Sequence, residues 1–419
     1  MRMFIVKNSV TILFIAVCAI GIYYSQLSSV FITNELVNRI ARNFLLVMSL
    51  IIPIRAGMGL NFSIVIGAMA AQISIFTVMN TGVGGIGGFL LAGLLMTPLA
   101  IIFGYLIGIV LNKCKGQEMI AGMMLAFFAE GLYQLLFLFL IGGVIPVRDK
   151  SLILSNGIGV KNSIDLTNGI KYAIDSILKI PLSYFLMTLG ILGICYLVFR
   201  FWNEQKRSEL HQRLTNEQKR HAVMFFSIIV MGFVVQVFAP GMQMVGVPIA
   251  TGMILIAFYS LNELILKTKM GQDFKAIGQS RMIAKTAGID VNRTRIKAII
   301  LSTLFAAYGQ LIFLQNIGTI NTYGSHTQVG LFSCAAILIG GASLTQANGK
   351  QALLGLILFH TLFIVSPIAG KNLFGEPQIG EYFRVFITYG VIGISLAVYA
   401  WQKYVSGRQD FLRQEASHE

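Results

Sequence analysis

The chain has 419 residues, 56% of them hydrophobic and only 12% charged, with a mean hydropathy of +0.75 and a formal net charge of +15. A soluble chain of this length would divide into two or three domains with polar surfaces, and this composition excludes that. Four cysteines, Cys18, Cys114, Cys195 and Cys334, are scattered without paired spacing, so neither a disulfide framework nor a metal site is indicated.

Arg2 and Lys7 precede a first apolar run at 9–27. No small-x-small cleavage site follows it, so it reads as a membrane helix and not as a secretory signal. Further runs near 20 residues, the length that crosses a hydrocarbon core of about 30 Å, are expected at 44–60, 62–80, 87–112, 119–143, 182–199, 223–239, 247–266, 298–317, 328–345, 351–368 and 383–402. The expected fold is an all-α polytopic transmembrane helical bundle. It has about 10–12 membrane helices in a single domain over 1–419, with an interrupted helix near 55–62. There "RAGMGLN" breaks the apolar pattern with Arg55, Gly57, Gly59 and Asn61. Irregular backbone at membrane depth is tolerated where it is buried in protein or lines a cavity. The break therefore either marks a substrate path or lets helices pack closely. Residues 44–80 can be read as two crossings or as a re-entrant pair.

With the N-terminus assigned to the cytoplasm, alternation puts 22 of the 32 Lys and Arg residues on the inner side and 8 outside. Positive charge favours the cytoplasmic side, so the net charge is assigned to lipid headgroups and cytoplasmic partners, not to nucleic acid. Residues 28–43 then form an outer segment, 144–180 a long external loop, 200–222 a cytoplasmic insertion suited to a surface helix, and 267–297 a cytoplasmic loop. His211 and His221 fall in 200–222 without a ligand constellation. The loop 267–297 contains "AIGQSRMIAKTAGIDVNR" (276–293). A helix over 279–287, about 14 Å long, is too short to cross. Ser280 suits its N-cap, Gly288 a left-handed C-terminal position, and Ala284 and Ala287 the close approach of another surface.

The stretch "MGQDFKAIGQSRMIAKTAGIDVNRTRIKAIILSTLFAAYGQ" (270–310) resembles the cytoplasmic loop and following helix of permeases in ATP-binding-cassette importers. The branch is the one serving ribose and galactose, nucleosides, and branched-chain amino acids. The matching positions are Phe274, Lys275, Ala276, Gly278, Ala284, Ala287, Gly288, Ile289, Val291 and Arg293, then Ser302, Ala306 and Ala307. Weaker similarities occur at 57–71, at 115–132 with Glu118 and Ile120 in register, and at 335–355. Ser280 to Ile283 depart from the family's usual acidic turn, and the pair of crossings joined by 200–222 resembles an insertion.

The resemblance implies a permease in the bacterial inner (plasma) membrane with both termini cytoplasmic. It pairs with a second permease subunit, identical or different, and receives solute from an external substrate-binding protein. Gly278, Arg281, Ala284, Lys285, Ala287 and Gly288 would couple it to ABC ATPase subunits. ATP and Mg would sit on that partner; this chain has no Walker A sequence, and no catalytic residue, metal site or cofactor is expected in it. The expected cargo is a small polar solute, a simple sugar or nucleoside first, with a branched-chain amino acid or an ion-gradient-driven transporter as alternatives. Intramembrane polar residues are functional candidates, and Asn61, Gln72, Glu130 and Gln134 are the candidates for the substrate path. His360, alone in its run, reads as structural.

Overall fold

The computed structural model describes residues 9–207, 216–386, 388–394 and 397. The N-tail up to residue 8, the centre of 200–222 with His211, and almost all of the C-tail lie outside the described residues.

Helix dominates because a spanning segment must satisfy its own backbone hydrogen bonds. Helix α1 is Ser9–Ser25. Helix α2, Ser29–Met48, starts where the Ser28 side chain accepts the Phe31 N–H, and after a short turn it continues as α3, Ile51–Arg55. Next come α4, Ile64–Thr81, and α5, Gly85–Lys113. Helix α6, Glu118–Leu135, ends in a π turn at Leu136–Leu140. A long connection carries β1, Ser163–Asp165, and β2, Lys179–Pro181. A helical hairpin follows, α7 Leu182–Arg207 and α8 Asn216–Phe238, then β3, Gly246–Pro248, and α9, Ile249–Lys267. Two short helices, α10 Lys269–Gln279 and α11 Arg281–Thr286, lead into α12, Val291–Ile317. After β4, Thr319–Asn321, come α13, Val329–Ile339, and α14, Gly349–Phe374. A last helical stretch occupies 377–386 and 388–394.

Among the described residues nine helices are long and apolar enough to cross a membrane, and 10–25 and 329–339 are shorter apolar helices. The core forms where α12 meets α2, α4 and α5, and α14 packs on α1, α2 and α13. Small residues set that spacing: a Cβ on Gly67 would lie 2.5 Å from the Thr303 carbonyl oxygen.

The connections sort into two ends. At one end the Arg55 Nε donates to the Ala347 carbonyl at 2.8 Å, Arg281 donates to the Gly57 carbonyl, and Asn112 donates to the Asn292 carbonyl. This end therefore gathers 56–63, 113–118, 268–290 and 341–348. At the other end β1 pairs with β4 and β2 with β3, both antiparallel. There the Arg148 N–H donates to the Asn80 side chain, and Asn316 donates to Asp175 at 2.5 Å.

Four expectations are corrected. Residues 28–43 are not an outer segment: the crossing is Ser29–Arg55, hidden in the sequence by Glu35, Arg39 and Arg42 on one face of α2. Residues 44–80 belong to two crossings, not to a re-entrant pair, and the glycine break between them lies at the end bearing 268–290, not at mid-depth. Residues 328–345 are not one helix: α13 stops at Ile339, and Gly341, at φ 84°, turns the chain into 342–348. The flanks of 200–222 extend α7 and α8 and do not form a separate surface helix. The hairpin of α7 and α8 packs mainly on itself, its base closed by β2 and β3.

Candidate transport and coupling sites

The loop 267–297 is a chain of three helix ends. Helix α10 buries Gly271, Phe274 and Ile277 on one face. It ends at Ser280, whose extended backbone lets its side chain cap α11 by accepting the Ile283 N–H. Gly288 takes φ 81°, and the Ile289 N–H returns to the Ala284 carbonyl at 3.0 Å. Asp290 then caps α12 by accepting the Arg293 N–H. The helix expected over 279–287 is thus the six residues Arg281–Thr286, and Gly278 lies inside α10.

The six candidate coupling residues face two ways. Gly278 packs on the break: a Cβ on Gly57 would lie 2.8 Å from its Cα. Arg281 is bonded inward and Ala284 is buried at 1% exposure, so Ala284 meets its own chain and is not free for another surface. Lys285, Ala287 and Gly288 are exposed. The large apolar side chains that α11 presents outward are Met282, 78% exposed, and Ile283, 69% exposed.

Glu118, at the first turn of α6, ties this end together. Its Oε1 accepts from Nη2 of Arg281 at 2.5 Å and from Nη2 of Arg295 at 2.6 Å, and its Oε2 accepts the Gly116 N–H at 2.8 Å. Arg295 is fully buried, and its Nε and Nη1 have no partner among the described residues. One carboxylate thus serves two guanidiniums and joins α6, α11 and α12. Sequence reasoning missed Arg295. Its signal was helical phase: 295, 298, 302 and 306 share the buried face of α12, whereas Arg293 points outward to Asp290.

A second polar group lies between α4, α6 and the connection after β4, buried at Gln72, Tyr133 and His326 and reaching through the partly exposed Glu130 to the exposed Gln134. The Tyr133 hydroxyl donates to Gln72 Oε1 at 2.8 Å. Gln134 donates to Glu130 Oε1 at 2.9 Å, and Glu130 Oε2 lies 2.5 Å from Nε2 of His326. The His326 ring lies 4.7 Å from that of Tyr133, and Gln310 of α12 donates to the Ser325 carbonyl at 3.1 Å. Among the described residues, Gln72 Nε2, Gln310 Oε1 and His326 Nδ1 are buried without a partner. Unpaired amide and imidazole groups in a water-poor interior can exchange hydrogen bonds with hydroxyls or ring nitrogens of a solute. His326 was not found from the sequence, because a buried histidine in a connection obeys no helical period.

Of the four candidate path residues, Gln72 and Glu130 therefore belong to this group, and Gln134 reaches Glu130 from the exposed face of α6. Asn61 stands apart at the coupling end. It donates to the Ser302 hydroxyl at 3.1 Å and accepts from the Ser63 backbone and hydroxyl, so its amide is engaged in fixing the start of α4.

On the opposite end the connection 144–180 carries two carboxylates held below their ordinary range, Asp149 by hydrogen bonding from Ser151 and Asp165 by hydrogen bonding from Thr167. Burial raises the Tyr323 phenol, whose hydroxyl donates to the Val160 carbonyl at 2.9 Å.

A family model described as branched-chain amino acid transport system / permease component matches residues 168–396, more than half of the chain. Among curated proteins, the chain is 36% identical over 96 residues to the autoinducer 2 import system permease protein LsrC of Klebsiella pneumoniae, covering 23% of this chain and 27% of that one. It is 28% identical over 163 residues to the ribose import permease protein RbsC of Bacillus subtilis, covering 38% and 48%. It is 27% identical over 198 residues to the xylose transport system permease protein XylH of Haemophilus influenzae, covering 45% and 50%. The chain spans half or less of the length of these relatives. No solved structure matches it significantly.

Proposed function

The chain belongs to the family described as branched-chain amino acid transport system, permease component, and from that premise we propose that it is the membrane-spanning subunit of an ATP-binding-cassette importer for a small polar solute. Relatives named for ribose and xylose import support a sugar-like cargo, and a nucleoside remains within the same chemistry of hydroxyls and ring nitrogens. The end bearing 268–290 faces the cytoplasm and the connection 144–180 faces outward, with both termini inside. The protein works in the inner membrane, paired with a second permease of the same or a different kind, and receives solute from an external binding protein. Nucleotide and Mg are held by the partner ATPase.

The observation that carries this reading is the tie from α11 through Glu118 to α6. Met282 and Ile283 offer the ATPase an apolar tip on a six-residue helix. A displacement of that helix pulls on Glu118, and α6 carries Glu130 and Tyr133 at the interior polar group. An ATPase cycle applied at one end thereby reaches the solute path without any catalytic group in this chain.

The experiment is uptake by cells or proteoliposomes holding the whole transporter. Vanadate should abolish it, and collapse of the proton gradient at constant ATP should leave it intact. Uptake that survives vanadate and fails with the gradient would replace this reading with an ion-driven one.

A further inference from the structure

Helices α4, α5 and α6 leave a groove of about 360 Å3 between them. Its floor is Ile66, Met69, Ile107 and Tyr133, all buried. Its mouth is Leu106, Phe128 and Leu132, each more than half exposed. Among the lining side chains Tyr133 alone carries a hydroxyl, amide or charge, and that hydroxyl donates to Gln72 at 2.8 Å. A sugar-like cargo therefore finds no free side-chain hydrogen-bonding group in this groove.

All three helices belong to segments long and apolar enough to cross a membrane, so the open side of the groove meets hydrocarbon. Size selects among apolar occupants. Two turns of a partner helix, about 10 Å across and 11 Å long, need roughly 850 Å3, more than twice the space. A methylene is close in size to a water molecule, whose share of the liquid is about 30 Å3, so the groove takes a chain of about twelve carbons.

One end of the groove leads to a charge. Ile107 and Val110 line it, and Lys113 lies three residues further along the same stripe, at the end of α5. Lys113 is exposed and forms no ion pair among the described residues. A lysine stem can lie along apolar surface while its ammonium reaches the polar boundary, where headgroup phosphates sit.

The groove also bears on how α6 is held. Among the described residues, α6 makes side-chain hydrogen bonds to other elements at Glu118, Glu130 and Tyr133, and at no residue between Glu118 and Glu130. Leu125 and Ala129 line the groove within that interval. Side chains around an empty space forfeit their dispersion contacts, so an occupant braces the part of α6 that hydrogen bonds leave free.

We infer that this groove binds one acyl chain of an anionic phospholipid, with the headgroup phosphate on Lys113. The lipid belongs to the leaflet on the side bearing 268–290. That leaflet is the inner one under the permease reading; the site itself does not rest on that reading.

The test uses the full chain alone in phosphatidylcholine nanodiscs with a trace of phosphatidylglycerol that carries a photoreactive diazirine midway along one acyl chain. After illumination, adducts should concentrate on 103–110 and 125–136. They should exceed severalfold those on α7 and α8, apolar crossings that are largely exposed and report ordinary bilayer contact. Unlabelled phosphatidylglycerol should compete, whereas free glycerol phosphate, which offers a headgroup without the chain, should not. Ala129→Trp fills the groove and should remove the excess, and Lys113→Gln should lower it severalfold. If Ala129→Trp does not assemble, Leu132→Trp at the exposed mouth should remove the excess in its place. Adducts spread evenly over the exposed helices, an excess that survives the variants, or competition by free glycerol phosphate overturns the site. Cross-links between two copies through 103–110 and 125–136, with no lipid adduct there, also overturn it and assign the groove to a partner subunit. No ATPase or solute takes part, so this result and the vanadate result can fail separately.

Discussion

Gly278 packs directly on the carbonyl of Arg55: a Cβ at Gly278 would lie 2.2 Å from that oxygen. The loop read as the ATPase contact and the glycine break between two crossings are therefore one contact, made backbone to backbone. Gly278→Ala should push them apart by overpacking, which typically costs about 1–3 kcal/mol. Expected is a chain that inserts normally but loses at least tenfold in ATP-driven uptake. Gly288→Ala serves as the control. Nothing lies within 4 Å of its added methyl, so only the left-handed strain of roughly 1–2 kcal/mol remains, and uptake should fall far less. Equal uptake in the two variants would remove the contact from the coupling route.

Ala284 and its neighbours on α11 separate fold from docking. Ala284 is buried against its own chain, whereas Met282 and Ile283 are exposed. Ala284→Trp should lower the yield of folded protein even without an ATPase. Met282→Glu with Ile283→Glu should leave yield and Tm unchanged but prevent copurification of the ATPase and its stimulation. Normal copurification by the double variant would move the docking surface elsewhere.

The sidedness can be read with single cysteines in a background where Cys18, Cys114, Cys195 and Cys334 are serine. Lys285→Cys is exposed at one end and Asn156→Cys at the other. In intact cells an impermeant thiol reagent should label Asn156→Cys and spare Lys285→Cys. The opposite pattern would invert the topology.

Much of this was legible in the sequence because membrane helices announce themselves by apolar length, and capping residues by type. Ser280 and Gly288 take the backbone roles that their chemistry dictates. What the apolar count hid was α2, whose Glu35, Arg39 and Arg42 lowered its hydropathy enough to look like a loop. The same count overextended α13, since Gly340 and Gly341 end a helix without ending the apolar run. Long-range pairings were beyond any local pattern: nothing near Glu130 points to His326, nor anything near Glu118 to Arg295. Such partners are fixed by tertiary packing, and a buried charge reveals only that some partner must exist.

Glu118 should be indispensable to folding as well as to coupling. Glu118→Gln leaves the fully buried Arg295 without a counter-ion, and breaking a buried pair from one side costs about 3–5 kcal/mol. The expected result is a marked fall in Tm. Adding Arg295→Met removes the stranded charge and should restore much of it, while uptake stays low because α11 is no longer tied to α6. If the double variant transports normally, Glu118 matters for stability only.

The last expectation concerns the interior polar group. Glu130 Oε2 and His326 Nε2 are 2.5 Å apart, and Gln134 engages the other carboxylate oxygen. Glu130→Gln keeps the shape and one acceptor but removes the charge that faces His326. If the group only held helices together, Glu130→Gln and His326→Gln would each lower Tm and the two losses would not add, since either change breaks the same bond. If it lines the path, the variants should also raise the solute concentration needed for half-maximal uptake, while expression and ATPase copurification remain at the unaltered level. The decisive measurement is uptake against solute concentration for the single and double variants alongside Tm. A change in Tm with unchanged uptake kinetics would take Glu130 and His326 out of the path. A change in half-saturation at unchanged Tm would place the solute against this pair, where Gln72, Gln310 and the second nitrogen of His326 hold hydrogen-bonding capacity that no described residue uses.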